Sequence, residues 1–430
     1  MHIVWWVGST PFVATCESRG LERVAATTYP KPIEVGSSEL PAHQLLDRAR
    51  GLVSVLKERA LLTERDRMVS AEILGALADA GIFRLLQPRR FGGLEGGFED
   101  FVRINIELGK GCGSTAWCTA IAMIHNWVVG LYPLETQEEV WQDSAALICG
   151  SYAPNGTCER ADGGYRIAGR WSFASNCDHS SWYIVGTQIP PDADHPAPRP
   201  AWALIPRADA RIDDTWFSAG MAGTGSKTIA VEQPVFVPAH RLLPVATINS
   251  GDAPGAKVHA TALYRLTFTG AAPYTLCSVP VGIALGAIED FRDIARSRMA
   301  AQPGGPPRPM REIEQVQLAI GEASASVDGA MALLLRDSAA TDRKVSEGQV
   351  PSQEERILYR RNQAYAARQS AHAVNTLFDV MGANAGDLAS PIQRAWRDTN
   401  LIAHHLSLAW TLTGSMYGQQ QLGLTPRGSY

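Results

Sequence analysis

Apolar residues recur every three or four positions over residues 41–147, the spacing of a helix with one buried face. Leu45, Leu46, Ala49, Leu52, Val53 and Leu56 fall on one stripe. Ile73, Leu74 and Leu77 repeat the pattern until Gly81 stops it. Thr136-Gln-Glu-Glu139 reads as a capping box, with Thr136 at the N-cap and Glu139 reaching back. Between these segments, 114–129 reads as an apolar helix carrying Trp117, His125, Asn126 and Trp127. From 147 the period changes to two. Short alternating runs at 147–152, 165–173, 182–187, 201–205 and 228–237 predict strands, and Asp162-Gly163-Gly164 predicts a hairpin turn between the first two. The Pro- and Asp-rich stretch 190–200 reads as a surface loop. From 263 helical periodicity returns, predicting long helices over 265–299, 309–340, 352–381 and 391–421. A Pro/Gly run at 303–309 separates the first two, and Gly382 and Gly386 separate the last two. Four long antiparallel helices with short links form a bundle.

This order, α then β then α, predicts an α+β fold. Its parts are a leader at 1–36, an N-terminal helical domain at 37–146, a central β domain at 147–256 and a C-terminal four-helix bundle at 257–425. The chain of 430 residues, 45% hydrophobic and 19% charged, is long enough for such a division, at roughly 100–200 residues per domain. Residues 1–36 read as a poorly ordered leader. Their apolar run at 3–7 lacks the basic flank and the length of a secretory signal. The segment 266–288 carries no charge and is long enough to span a bilayer, but Gly and Pro interrupt it and it lacks basic flanks. It reads as a buried core helix, with no membrane role.

A net charge of −4 without a basic stripe argues against nucleic acid and against an anionic membrane surface as partner. The seven cysteines are scattered, with no Cys-x-x-Cys pair. That argues against a disulfide framework and a zinc site, so no metal is expected and a reducing cytoplasm fits best.

Three motifs in chain order carry a resemblance. They are Gly163-Gly-Tyr-Arg-Ile-Ala-Gly-Arg-Trp-Ser-Phe-Ala-Ser-Asn-Cys-Asp178, then Gly220-Met-Ala-Gly-Thr-Gly-Ser-Lys-Thr-Ile-Ala-Val231 with Val235-Phe-Val-Pro-Ala-His-Arg241, then Trp396-Arg-Asp398 followed by His404-His405. With the α–β–α layout, they resemble the flavin-dependent monooxygenases built on the acyl-CoA dehydrogenase fold, over residues 40–425. These are the oxygenase components of two-component hydroxylases such as 4-hydroxyphenylacetate hydroxylase. The resemblance implies an N-terminal helical domain, a central β-barrel domain and a C-terminal four-helix bundle. It also implies reduced flavin, FMNH2 or FADH2, made by a separate NAD(P)H:flavin reductase. O2 then forms a C4a-hydroperoxide that hydroxylates a small apolar or phenolic substrate. Such proteins are usually homotetramers.

The residues themselves allow two readings at each point. Phe173 and Ser175, two apart on a strand, project to one face and with Ser151 are candidate flavin contacts; otherwise Phe173 is β-domain core. His404 and His405 diverge by about 100° if helical, so only one reaches a given pocket. The resemblance places one of them, with Ser175, at the reactive edge of the flavin; the plain alternative is two surface or core histidines. Trp117 and Asn126 are candidates for the cofactor, and His125 and Trp127 for the substrate, against a reading as helix-packing residues. Gly220, Gly223 and Gly225 with Thr224 and Ser226 are followed by a strand. They therefore make a tight turn that passes close to flavin rather than a dinucleotide fingerprint. Arg298 is a candidate partner for the flavin phosphate or else a solvated helix end. In the dehydrogenases a catalytic Glu often lies about nine residues beyond the Arg of the Arg-Asp pair, and that position here is Leu406. Met381-Gly-Ala-Asn-Ala-Gly386 departs from the dehydrogenase loop, which implies a flavin that comes and goes. The alternatives are an acyl-CoA dehydrogenase and a non-catalytic flavin-fold binding protein.

Overall fold

The structure is a computed structural model and describes residues 42–302 and 305–430. The expected leader at 1–36 lies outside the described residues, as does Cys16. The N-terminal helices are α1 (Ala42–Asp66), α2 (Ala71–Asp79), α3 (Phe98–Gly111), α4 (Gly113–Val129) and α5 (Leu134–Val140). Their stripes bury as the spacing predicts: Leu45, Ala49, Leu56, Ile73 and Leu77 are at most 1% exposed. Gly81, at φ 76°, takes the left-handed position after α2 that glycine adopts at no steric cost. The expected capping box at Thr136 is not formed. α5 begins earlier, behind Pro133, and Thr136 instead donates its hydroxyl to the His240 carbonyl at 2.6 Å. A capping box does form at Ser352 and Glu355.

The seven strands of the central domain are β1 (Ile148–Ala161), β2 (Gly164–Ala174), β3 (Trp182–Ile189), β4 (Arg199–Pro206), β5 (Arg211–Asp213), β6 (Lys227–Pro238) and β7 (Leu242–Pro244). They form one sheet in the order β5-β6-β2-β1-β3-β4-β7. β1 and β2 are joined by the Asp162-Gly163 turn, with Ala161 opposite Gly164. A register shift between Ser151 and Gly156 breaks β1 into a half that runs parallel to β3 and a half antiparallel to β2. The two halves enclose a core that includes Cys149, Ile167, Trp171, Tyr183, Val185 and Ile229. The Trp171 indole inside it donates to the Gly186 carbonyl at 2.7 Å.

After short helices α6 (Val245–Ile248), α7 (Pro254–Val258) and α8 (Phe268–Ala271), the bundle consists of α9 (Pro273–Ser297), α10 (Glu314–Ser346), α11 (Gln353–Met381), α12 (Pro391–Ala403) and α13 (Trp410–Gln421). The charge-free segment lies mostly in α9; in the continuous apolar span Phe268–Ser297 the most apolar stretch is 89% buried. α9 approaches α3 so closely that a Cβ on Gly282 would sit 2.2 Å from the Ile106 carbonyl oxygen. Two expectations fail here. The Pro/Gly run is no bare link: it lies in a two-stranded hairpin, β8 (Met299–Gln302) with β9 (Gly305–Pro309). The helix expected over 391–421 is two helices, broken at His404–Ala409.

Candidate active site

The end of β2 leaves regular strand geometry, so Phe173 and Ser175 do not project to one face as expected: Ser175 lies past the strand and is buried. Phe173 has φ 64° and its side chain is 72% exposed, an unusual state for a large apolar residue. Asn176 (φ 64°) and Met221 (φ 52°) are also left-handed, and Arg67 (φ 53°) lies across from them. Four of the five non-glycine residues with positive φ, all but Glu95, thus border the loop at 214–226. Strain of this kind persists only where its surroundings over-determine it.

Those surroundings are specific. Asp398 on α12 accepts the Met221 N–H, and Arg397 donates to the Ala219 carbonyl and to Glu64 on α1. A Cβ on Gly220 would lie 2.5 Å from the Arg397 carbonyl oxygen, so the loop backbone rests directly on α12. Burial pushes the Asp398 carboxyl up to about 6, against the Met221 bond, which pulls it down. Arg67 grips the loop's other edge through Asp214 at 2.6 Å and the Trp216 carbonyl at 2.9 Å, and stacks over Phe217 at 4.1 Å.

Within this frame the hydroxyls form ladders. Thr224 bonds Ser226 at 2.6 Å, and Ser226 bonds Ser175 at 2.8 Å. Ser175 in turn accepts from the Trp117 indole at 3.0 Å. Ser172 bonds Thr228 at 3.1 Å, and Thr228 bonds Thr215 at 2.8 Å. Ser151 donates to the Ser172 carbonyl at 2.7 Å, which brings it beside Phe173. The Phe173 ring meets Trp216 edge-on at 6.0 Å. Asn176 is 4% exposed and both polar atoms of its side chain lack a partner.

The final-helix histidines are not helical neighbours. α12 ends at Ala403, and His404 turns back to the Asn400 carbonyl at 2.7 Å. His405 is extended (φ −61°, ψ 134°), and its Nδ1 accepts the Ser407 N–H at 3.2 Å. The 100° argument therefore does not apply. Chain direction separates the two residues, and His405 is the one beside Trp117, with ring centroids 6.1 Å apart. The residue is exposed, and its ring faces the Trp117 indole. Desolvation first, and the Arg360 charge second, lower its pKa below the usual histidine value.

Two turns further along α4, the remaining candidates divide. His125 is fully buried; its Nδ1 donates to the Ile148 carbonyl at 2.9 Å, so Nε2 bears the lone pair and has no partner. Burial lowers its pKa to about 4, so the ring is neutral. Its neighbour Tyr152, in edge contact at 5.7 Å, also has a buried hydroxyl without a partner and packs on Trp202 and Phe268. Asn126 uses its amide N–H on the Phe83 carbonyl at 2.9 Å, away from Ser175. Trp127 is core, not pocket lining: it is fully buried and bonds the Leu263 carbonyl at 2.9 Å. Arg298 caps the far end of α9.

Trp216, Phe217 and Arg67 lie in segments without periodicity, and the sequence reading missed them. Among the described residues no group of three or more His, Cys, Asp or Glu is placed to hold a metal ion.

Comparison with known proteins bears on the family and the fold. Residues 42–144 match the acyl-CoA dehydrogenase N-terminal domain family, and 274–410 match the acyl-CoA dehydrogenase C-terminal domain family. The chain is 40% identical to the oxygenase component of an FADH2-dependent resorcinol hydroxylase from Rhizobium sp. strain MTP-10005, over 91% of this chain and 97% of that protein. The crystal structure of a 3-HSA hydroxylase from Rhodococcus sp. RHA1 superposes with a TM-score of 0.84 at 33% identity, covering 90% of this chain and 98% of the other. XiaF from Streptomyces sp., solved with FADH2 and glycerol, gives 0.81 at 25% identity over 90% and 98%.

Proposed function

The chain belongs to the flavin-dependent monooxygenases, as the oxygenase component of a two-component system on the acyl-CoA dehydrogenase fold, and we propose that it hydroxylates a small phenol. It is an oxidoreductase that works with reduced flavin supplied by a flavin reductase. Acyl-CoA dehydrogenation is not favoured: Leu406, at the position where those enzymes often carry a carboxylate base, is an exposed leucine.

The residues fit a flavin. Phe173 and Trp216 offer flat apolar cover, and an aromatic side chain as exposed as Phe173, held at positive φ, is suited to a bound ring. Ser175, Ser226 and Ser151 supply hydroxyls at one edge, and the unpartnered Asn176 amide supplies further donors. When bound, reduced flavin gives two electrons and, with O2, one oxygen atom for the substrate, the second leaving as water. The chain's own groups then do three things. Trp117 and the loop at 214–226 fix the plane of the ring. The neutral, unpartnered His125 Nε2 would accept the phenol O–H, with the Tyr152–Trp202–Phe268 cluster as its apolar surroundings. His405, whose pKa burial lowers, would hold or move a proton beside the Trp117 end of a bound flavin.

The observation that carries this reading is the hydrogen bond from the Trp117 indole to Ser175, with His405 against the same indole. It joins α4, the end of β2 and the break after α12 in one place. Exposed apolar length on α10, whose most apolar window is only 28% buried, supports the homotetramer. The six described cysteines, all free, support a cytoplasmic location, where a reductase supplies flavin by diffusion. The test is to mix the protein with an independent NAD(P)H:flavin reductase, FAD or FMN, and resorcinol, and to measure hydroxylated product against H2O2. Product formed only with the oxygenase present supports the reading. Desaturation of an acyl-CoA without phenol hydroxylation overturns it.

A further inference from the structure

α11 carries an apolar stripe at Ile357, Ala364, Ala367, Ala371 and Val374, and Arg360 sits on that stripe. Arg360 is 7% exposed, and among the described residues its hydrogen-bond partner is a neutral one, the Ser407 carbonyl, 2.7 Å from Nη2. Its Nε and Nη1 are buried without partners, and among the described residues it joins no ion pair. One turn on, Gln363 is fully buried with both amide atoms unpartnered. On the facing helix α9, the Thr275 hydroxyl is also buried and alone. Ser407 follows His405 by two residues, and the Arg360 charge acts on the His405 ring. The lone guanidinium is therefore held against the His405–Ser407 segment, at the edge of the candidate active site.

A buried cation without a counter-ion is costly, and an unpaired buried donor forfeits its hydration. Here three donor or acceptor groups on two facing helices share that condition, whereas the hydroxyls around Ser175 do not. A guanidinium fork with two free N–H directions matches a planar carboxylate. Burial has lowered the pKa of Arg360 to about 10, so it stays charged at neutral pH.

We propose that Arg360, with Gln363 beside it, is the anchor for a carboxylate on the aromatic substrate, so that this enzyme acts on a phenolic acid. The inference rests on the phenol hydroxylase reading. It adds a charge requirement where α9 and α11 face each other.

The experiment uses a pair of probes matched in shape and differing in charge, 3-hydroxybenzoate and 3-hydroxybenzamide, titrated by tryptophan fluorescence into the full chain without flavin. Wild-type protein binds the acid at least tenfold more tightly than the amide. Arg360→Met loses roughly 10²-fold affinity for the acid, the scale of a truncated buried charge pair, and little for the amide. Arg360→Lys recovers part of the loss, since it restores charge without the fork. Equal wild-type binding of acid and amide overturns the proposal whether or not the methionine variant folds. Unchanged acid binding by a folded Arg360→Met protein also overturns it. Selective binding of the acid without any oxygenation in the reductase-coupled assay keeps the anchor and removes the hydroxylase reading. Oxygenation of phenols without acid preference does the reverse.

Discussion

Around Trp117, Ser175 and the loop at 214–226, the hydroxyls of Ser172, Ser175, Thr224, Ser226 and Thr228 all have partners, and the backbone stores strain to keep them there. Behind that wall the backbone is ordinary helix and strand, but His125 Nε2, the Tyr152 hydroxyl, Arg360 and Gln363 are buried with unused hydrogen-bonding atoms. In the first region the hydroxyls are satisfied without a ligand and the Asn176 amide stays open; in the second these groups all stay open. A preorganised wall suits a cofactor whose shape never changes, and unfilled donors and acceptors suit a substrate that must enter and leave. The α12 residues Arg397 and Asp398 serve the wall alone, since they hold loop backbone and Glu64.

Breaking the contact between the two regions has the largest expected effect. His405→Ala should leave the fold intact and cut product by roughly 10²–10⁴, the range for a lost acid–base group. Flavin oxidation should continue and release H2O2. Product and peroxide measured together check this, and an unchanged ratio of product to peroxide removes His405 from the site. His404→Ala should leave the ratio unchanged, because that side chain bonds its own helix.

Next in size is a break confined to the wall. Gly220→Ala forces a Cβ against the Arg397 carbonyl and should lift the loop from α12. Overpacking of about 1–3 kcal/mol would weaken reduced-flavin binding by roughly 10–100-fold. Binding of a phenol alone should be unaffected, and an equal loss for both ligands would join the two regions into one.

The interior is sharpened by pH. His125 is held neutral, with a folded-state pKa near 4 against an ordinary 6.5. As pH falls the unfolded chain takes up this proton first, so the His125 contribution to stability is full above about 6.5 and is lost toward about 4. Asp342 and Asp398 work in the opposite sense. Burial raises both to about 6, so their contribution is present in acid and lost as pH rises through about 6. His125→Gln should therefore lose less Tm than wild type between pH 6.5 and 4. It should also bind phenols about tenfold more weakly at neutral pH, the scale of one hydrogen bond. A Tm profile parallel to wild type contradicts the neutral buried imidazole.

The smallest effect separates function from stability inside the wall. Phe173→Gly relieves a left-handed non-glycine residue and removes an exposed ring, so stability should change by no more than about 1 kcal/mol, in the favourable direction. Reduced-flavin affinity should fall severalfold. A stability loss in melting experiments would make Phe173 a packing residue.

Period-two alternation located the main strands, because half-buried strands enforce it, and the Asp162-Gly163 turn followed from glycine's freedom at φ 73°. The break in the last helix was not legible. Residues 391–421 keep helical spacing throughout, and the interruption rests on His405 capping the Ser407 N–H. The 303–309 run hid a hairpin because proline reads first as a helix stop. Phe173 and Ser175 were found by motif and Ser151 lies beside Phe173, but positive φ at Phe173 breaks the alternation, so Phe173 is exposed while Ser175 is buried past the strand; Trp127 is core. Arg360 was missed although its signal was present. It occupies an apolar stripe, and counting that stripe through Ile357 and Ala364 puts the arginine on the buried face.

The central claim is that the wall and the interior together hold reduced flavin and shelter its reaction with O2 from water. Stopped-flow mixing of protein and anaerobically reduced flavin with oxygenated buffer tests it most directly. The account predicts two separated absorbance phases. A rapid near-ultraviolet rise should come first, and oxidised-flavin absorbance should return only later, delayed further in wild type than in the His405→Ala variant. A single phase at the rate of free reduced flavin, with all oxygen recovered as H2O2, would contradict it.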